Sequence, residues 1–275
     1  MITGEEIWCQ LFSEPSAGSD LAGIRMKAVK DGDEWVLNGQ KVWTSGAHFA
    51  DYGMIVARSD PTALKHKGLT YFYVDMKTPG IEAKPIKQIS GSANFNEVFF
   101  NDVRIPDSQR IGAEGDGWKV SLTTLMNERL AVGDPPGLDF DQIFEASKEI
   151  EVEDGLAVKN SEVRQKMADW YIQSRGLQYT KYRSMTALSK GQTPGPELSI
   201  SKLVTASKMQ DVSSYALDLM DMSGMVHQDK NPILKNLFQN GYFFSAAMRI
   251  AGGTDEVLRN IIAERVLGLP QDERS

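Results

Sequence analysis

At 275 residues, with 41% hydrophobic and 24% charged residues, the chain can bury one or two sizeable cores, and two domains are expected. Its formal net charge of −7 opposes non-specific attraction to nucleic acid or anionic membranes, while leaving room for a local basic patch. No apolar run is long enough for a membrane span, and no basic segment leads into an apolar stretch at the N-terminus, so a cytoplasmic protein is expected. Cys9 is the only cysteine, which excludes an internal disulfide and any multi-cysteine metal site; it is expected to be a small buried hydrophobe. His48, His66 and His227 are the only histidines and stand far apart in sequence, so no metal site is expected.

From Ile7 to about Ile111, short β-branched and aromatic runs are punctuated by Gly, Asn, Asp or Pro, the pattern of strands. A first strand over Ile24–Val29 turns at Asp31-Gly32-Asp33 into Glu34–Leu37. Asn38-Gly39, a strong hairpin signal because both residues tolerate positive φ, then leads into Gln40–Thr44. Further strands are expected over Gly53–Ala57, Leu69–Asp75, Ile81–Lys87 and Glu97–Val103, with breaks at Pro79-Gly80 and Ile105-Pro106.

After Gly112 the texture changes, and Gly115-Asp116-Gly117 opens a helix over Trp118–Ala131. Asp134-Pro135-Pro136-Gly137 interrupts it, helical spacing returns over Phe140–Glu149, and the acidic stretch Glu149–Asn160 reads as a loop or frayed helix. A long helix is expected over Ser161–Ser189, burying Val163, Met167, Trp170, Tyr171, Leu177 and Leu188 along one stripe. Gly191–Gly195 reads as a turn, followed by helices over Leu198–Met222, Ile233–Met248 and Thr254–Leu267, the last closed by Gly268-Leu269-Pro270. Strands first and helices afterwards imply an α+β protein: an antiparallel β-barrel or sandwich domain over residues 1–113, then an up-down helical bundle over 114–275.

Three segments carry a more specific resemblance. Leu11-Phe12-Ser13-Glu14-Pro15-Ser16-Ala17-Gly18-Ser19-Asp20 resembles the "TEPGAGSD" signature of the acyl-CoA dehydrogenases, with Ser13 in the threonine place and Ser16 in that of a glycine. Asn38-Gly39-Gln40-Lys41-Val42-Trp43-Thr44-Ser45 resembles their "NGxKxWITN" strand. Ile250-Ala251-Gly252-Gly253-Thr254-Asp255-Glu256, followed by Arg259-Asn260-Ile261-Ile262-Ala263-Glu264-Arg265, resembles their C-terminal signature. The resemblance implies FAD as cofactor, with an isoalloxazine ring that needs an apolar wall and a few aimed donors. By carry-over, Phe12 and Ser13 lie beside its pyrimidine edge, Trp43 covers a ring face, and Ser45 reaches O4 and N5. Ser19 lies near the flavin phosphates or the thioester, Thr254 near the flavin, and Glu256 near the adenosine ribose. On the residues alone, Trp43 reads as a barrel-core aromatic, Ser13–Asp20 as an ordinary polar turn and Thr254 as a helix N-cap.

The reaction implied is α,β-dehydrogenation of an acyl-CoA thioester, in which a carboxylate removes the α-proton while a β-hydride passes to flavin N5. Many members carry that carboxylate in a "YEGT" motif, where this chain has Gly252. Isovaleryl- and long-chain-type relatives place it before an arginine on the first helix of the C-terminal domain, and Asn127-Glu128-Arg129-Leu130 matches that arrangement, eleven residues after Gly117. Glu128 is therefore assigned as general base, which requires desolvation to lift its pKa above about 4.3. Arg129 is assigned a structural role; from composition alone, Glu128 reads as an exposed helix residue paired with a cation. The Gly252 amide, together with a flavin ribityl hydroxyl, is expected to hold the thioester oxygen against the charge that develops there.

The resemblance also implies an electron-transfer flavoprotein as acceptor and a homo- or hetero-oligomer, dimer or tetramer. The ending is similar to a bacterial branch, "AGGTxEIxRNIIAERVLGLP", that includes subunits of heteromeric steroid-CoA dehydrogenases. Three departures stand out. The family's "RxxFG" cofactor motif is replaced by Glu145–Asp154, with Arg164 and Arg175 the candidates to stand in for it. The later "GG" element is blurred to Asp218–Gly224, and the family's N-terminal helical domain is expected to be missing. Two other functions remain open: a non-catalytic partner subunit of a heteromeric dehydrogenase, and a flavin monooxygenase or nitroalkane oxidase on the same scaffold.

Overall fold

The computed structural model describes residues 3–132, 138–192, 195, 198–226 and 233–271, and the side chains of all of these except 128–132, 198 and 233–235. The chain divides into two compact units, Met1–Met126 and Asn127–Ser275. The expected break at 134–137 lies outside the described residues, as does His227.

The first unit is built on β1 (Trp8–Leu11), β2 (Lys27–Asp31), β3 (Glu34–Ser45), β4 (Tyr52–Arg58), β5 (Leu69–Asp75), β6 (Ile81–Ile86), β7 (Phe95–Pro106) and β8 (Arg110–Ile111). They form one sheet in the order β6-β7-β3-β2-β4-β5-β8, with β1 on β4. The path is open at both ends, so the architecture is sandwich-like and no barrel closes. The expectation of a purely antiparallel sheet is corrected as well. β1 runs parallel to β4, and β2 meets β4 in parallel at Lys27 and Arg58, because the β2–β3 hairpin intervenes between β1 and β4 in the chain.

Turn chemistry explains one hairpin and corrects another. Gly32, at φ 63°, lets Asp31 and Glu34 close the β2–β3 hairpin as expected. Asn38-Gly39 makes no reversal; β3 runs straight through it with a register shift between Leu37 and Gly39. The Asn38 amide donates to Asp102 Oδ1 at 3.0 Å, and its oxygen accepts the Asp102 N–H at 2.9 Å. A Cβ at Gly39 would sit 2.9–3.0 Å from Met26, so the glycine serves close backbone approach at a bulge.

β4 buries residues toward both faces of the sheet. Ile55 and Ala57 join Trp35, Leu37, Phe72 and Phe100 in one core, while Val56 joins Phe12, Ile24, Leu69 and Tyr71 in a second. Trp118, Val120 and Leu125 of α1 (Gly117–Val132) pack on that second core. The early turns of α1 thus belong with the sheet, and for that reason the compact units part at 126/127, whereas the change of sequence texture falls at 113/114. Cys9 is buried beside Met76, as expected, and burial pushes its thiol up to about 12.

The second unit contains α2 (Phe140–Ser147), the small hairpin β9 (Glu151–Val152) and β10 (Gly155–Leu156), α3 (Ser161–Ser189), α4 (Leu198–Leu219), α5 (Met222–Met225), α6 (Ile233–Met248) and α7 (Asp255–Ile261), which ends in a π turn over Ile262–Val266. The stretch expected as loop or frayed helix over Glu149–Asn160 holds the β9–β10 hairpin and a 3-10 turn over Ala157–Lys159. Asn160 then starts α3 by accepting the Glu162 and Val163 amides. The α3 stripe is correct only in its first half. Val163, Met167 and Trp170 are buried, whereas Tyr171 and Leu188 are exposed and Leu177 is half-buried. Cover from α2 and the small hairpin reaches the first half of α3, where their side chains share a core with Val212, Ala216 and Phe238. No described helix is long and apolar enough to cross a membrane.

Trp170 is the largest side chain of the helical unit's core, edge-on against Tyr215 and donating from Nε1 to Asp211 at 2.8 Å. Trp170→Ala is expected to cost about 3–5 kcal/mol, read as a lower urea midpoint for loss of helical circular dichroism.

Candidate functional site

The loop after β1 and the bulged end of β3 are locked together by a buried ion pair. Lys41 is 0% exposed, and its ammonium makes three hydrogen bonds: to Glu14 Oε1 at 2.9 Å, to the Phe12 carbonyl at 2.9 Å and to the Val56 carbonyl at 2.8 Å. Glu14 Oε1 also accepts the Met26 N–H at 3.0 Å, and its Oε2 accepts the Arg25 N–H at 2.6 Å. All three ammonium protons and both carboxylate oxygens are therefore satisfied, the condition under which a buried pair is tolerated. The loop itself is pinched by mutual backbone bonds between Glu14 and Ala17 at 3.0 Å, around Pro15-Ser16.

Next to this lock the β3–β7 register slips between Lys41 and Thr44. The Val42 N–H donates at 2.9 Å to the Ser13 carbonyl. Trp43 adopts φ 61°, a left-handed conformation that is a genuine outlier for a bulky residue, and its indole is 60% exposed, touching Phe95 edge-on. Asn96, fully buried, donates to the Thr44 carbonyl at 2.9 Å and contacts His48 Nδ1 through its oxygen at 3.0 Å. The buried Thr44 hydroxyl has no partner among the described residues. Phe12 is buried edge-on against Tyr71, while Ser13 is half-buried. Ser19 and Ser45 are exposed, and the Ser13 N–H and the hydroxyls of Ser13, Ser19 and Ser45 have no partner among the described residues. The Val42–Ser13 and Lys41–Phe12 hydrogen bonds bring the backbone of Phe12 and Ser13 beside the strand that carries Trp43, so the neighbourhood holds an exposed indole and uncommitted donors. That donor set fits the edge and face of a flat heteroaromatic ring.

The second unit gathers Gly252, Thr254 and Glu256 at the entrance to α7. Gly252 and Gly253 sit at φ 65° and 98°. Thr254 is the N-cap, its hydroxyl accepting the Val257 N–H at 3.3 Å. Hydrogen bonds from its own amide and from the Thr254 hydroxyl hold the Glu256 carboxyl below the usual carboxylate range. Arg249 donates to the buried Asp255 carboxylate through Nε at 2.7 Å and to Gln210 at 2.8 Å. Lys202 donates to the Gly253 carbonyl at 2.6 Å; burial lowers its pKa, against the attraction of Asp255. Glu128 falls on α1, but its side chain lies outside the described residues, as does that of Arg129. Among the described residues no cluster of His, Cys, Asp and Glu could hold a metal ion.

Lys41 and Glu14 lie inside the quoted sequence segments, yet neither was singled out from sequence. The available signal was parity: Lys41 continues the inward alternation of Trp35 and Leu37. Lys202 and Arg249 carried no comparable signal, since each is one cation among many on helices.

Two family models match the chain, acyl-CoA dehydrogenase middle domain over residues 9–103 and acyl-CoA dehydrogenase C-terminal domain over residues 115–267. The chain belongs to the acyl-CoA dehydrogenase family. It is 40% identical to acyl-CoA dehydrogenase FadE34 of Mycobacterium tuberculosis over 98% of its own length and 36% of that protein. It is 38% identical to acyl-CoA dehydrogenase IpdE1 of the same organism, covering 98% of this chain and 68% of the relative. The chain therefore spans about a third of one of these relatives and about two thirds of the other. Among solved structures, a Tcur3481-Tcur3483 steroid ACAD superposes with a TM-score of 0.87 at 27% identity, covering 98% of this chain and 70% of that one.

Removing the Lys41 ammonium strands a buried carboxylate, so Lys41→Met is expected to lower stability by about 3–5 kcal/mol in urea unfolding. Burial pushes the Lys41 pKa down from 10.5 to about 8, despite the attraction of Glu14. Between those values the unfolded chain binds the proton and the folded one does not, so this group's contribution to stability rises with pH from about 8 upward. Below about 8, the penalty of the buried charge is fully present. In a 13C-lysine NMR titration, one lysine should titrate near 8; all lysines titrating together above 10 would contradict the burial of this charge.

Proposed function

We propose that this chain carries out the α,β-dehydrogenation of an acyl-CoA thioester with FAD, using Glu128 as general base. The observation that carries the reading is the exposed Trp43 indole, held at φ 61° on a strand whose Val42 N–H is bonded to the Ser13 carbonyl, within two segments of family signature. Phe12, Ser13, Trp43 and Ser45 would hold the ring, with Ser19, Thr254 and Glu256 on the remainder of the cofactor. Bound there, FAD supplies the acceptor for the β-hydride.

The chain's own residues supply the rest. Glu128 takes the α-proton, the role a carboxylate fills once desolvation brings its pKa toward working pH. The Gly252 N–H donates to the thioester oxygen and stabilises the negative charge that builds there as the proton leaves. The position that carries the acid in many relatives needs only its backbone for this, so glycine suffices. An electron-transfer flavoprotein would be the partner that takes up the electrons. The working form is an oligomer of identical or related subunits, and the compartment is the cytoplasm.

The test is a visible spectrum of the purified chain with added FAD, followed by a panel of straight-chain and ring-bearing acyl-CoA thioesters. Flavin absorbance should bleach with at least one thioester. Glu128→Gln should lower the bleaching rate by roughly 10³-fold or more with FAD still bound. Bleaching at the unaltered rate would move the base elsewhere, rapid reoxidation by air would favour the oxygen-using flavoenzymes, and failure to bind FAD would favour a non-catalytic partner subunit.

A further inference from the structure

The Gly252-Gly253 turn joins α6 to α7 with little of its own to stiffen it. Both glycines are at positive φ, and among the described residues nothing lies within 4 Å of where a Cβ would stand at Gly252. Neither amide N–H donates to an acceptor among the described residues. Glycine has the widest backbone freedom of any residue, so a turn of this kind keeps one geometry only if it is restrained from outside.

Two restraints are present. Arg249, before the turn, grips Asp255, after it, at 2.6 and 2.7 Å, and so closes its base. Lys202, on α4, reaches the turn itself and donates to the Gly253 carbonyl at 2.6 Å. Lys202 is only 8% exposed, and that carbonyl is its sole hydrogen-bond partner among the described residues. Burying a lysine is costly without a paired anion in contact. Asp255, whose charge attracts Lys202, is already engaged through Oδ2 by Arg249, and its buried Oδ1 has no partner among the described residues. An arrangement that retains a buried ammonium for one backbone oxygen points to that oxygen's position as what it secures.

We infer that Lys202 is a positioning residue for the reaction: by tethering the Gly253 carbonyl, it fixes the aim of the neighbouring Gly252 N–H toward the thioester oxygen. The inference rests on the role proposed above for Gly252. A donor aimed in advance needs no reorganisation when charge develops, and loss of aim reduces rate more than binding.

The experiment compares the FAD-loaded wild-type chain with Lys202→Met, which removes the donor, and Lys202→Gln, which keeps one without charge. Backbone order parameters of 15N-labelled Gly252 and Gly253 are measured beside kcat and KM for the best thioester of the panel. The wild-type turn should show order parameters near 0.85, falling below about 0.6 in Lys202→Met. kcat should fall roughly tenfold or more with KM within about threefold, and Lys202→Gln should restore both order and rate. The inference is overturned if the wild-type turn is mobile, or if kcat and turn order part company in either variant. Should Lys202→Met not fold, the wild type and Lys202→Gln decide by the same rule. If no thioester bleaches the wild-type flavin, the proposed function fails, while the order parameters still report whether Lys202 holds the turn.

Discussion

A single buried ion pair sets the geometry of the sheet unit's functional edge. Lys41 and Glu14 come from segments far apart in sequence, and between them they collect two carbonyls and two amides that would otherwise be stranded in the interior. Because every ammonium proton and both carboxylate oxygens in this group are matched, the loop cannot shift without leaving a charge unsolvated in a low-dielectric setting. The Val42–Ser13 bond and the left-handed Trp43 follow from that arrangement. A strained backbone of this kind persists only where its surroundings over-determine it, and the ion pair beside Trp43 supplies that over-determination.

Much of the fold was legible because it rests on local chemistry. The strands over 53–57 and 69–75 announce themselves through dense apolar runs, the helix at Ser161 through Asn160, and the β2–β3 hairpin through Gly32. What stayed hidden depends on partners distant in sequence. Asn38-Gly39 has the composition of a turn, but Asp102 and Met26 hold it within a continuous strand, opposite a bulge in β7. The parallel pairing of β1 with β4 has no signature in either segment alone. The far half of α3 keeps its apolar periodicity yet leaves Leu188 exposed and Leu177 only half-buried, since periodicity records what a helix can bury and not what covers it.

The candidate site divides along the same line. Motif resemblance located Phe12, Ser13 and Trp43 in one unit and Gly252, Thr254 and Glu256 in the other, and within each unit these residues lie close together. It did not expose the lysines that brace them, Lys41 behind the loop and Lys202 behind the turn. Both are buried cations reaching backbone carbonyls, a use of lysine that composition assigns to the solvent-exposed surface. Such residues emerge only when hydrogen-bond partners are traced through the interior.

The empty space around Gly252 has an evolutionary reading. A Cβ there would meet no atom of the described residues within 4 Å, so the first atom of a side chain finds room at this position. The obstacle is the handedness of the backbone at φ 65°, a strain of about 1–2 kcal/mol for a residue bearing a Cβ. Moving a proton acceptor between two places in the chain would then demand a small local adjustment, with the packed interior left as it is. Descendants of one ancestor could make that exchange in either direction through few intermediates.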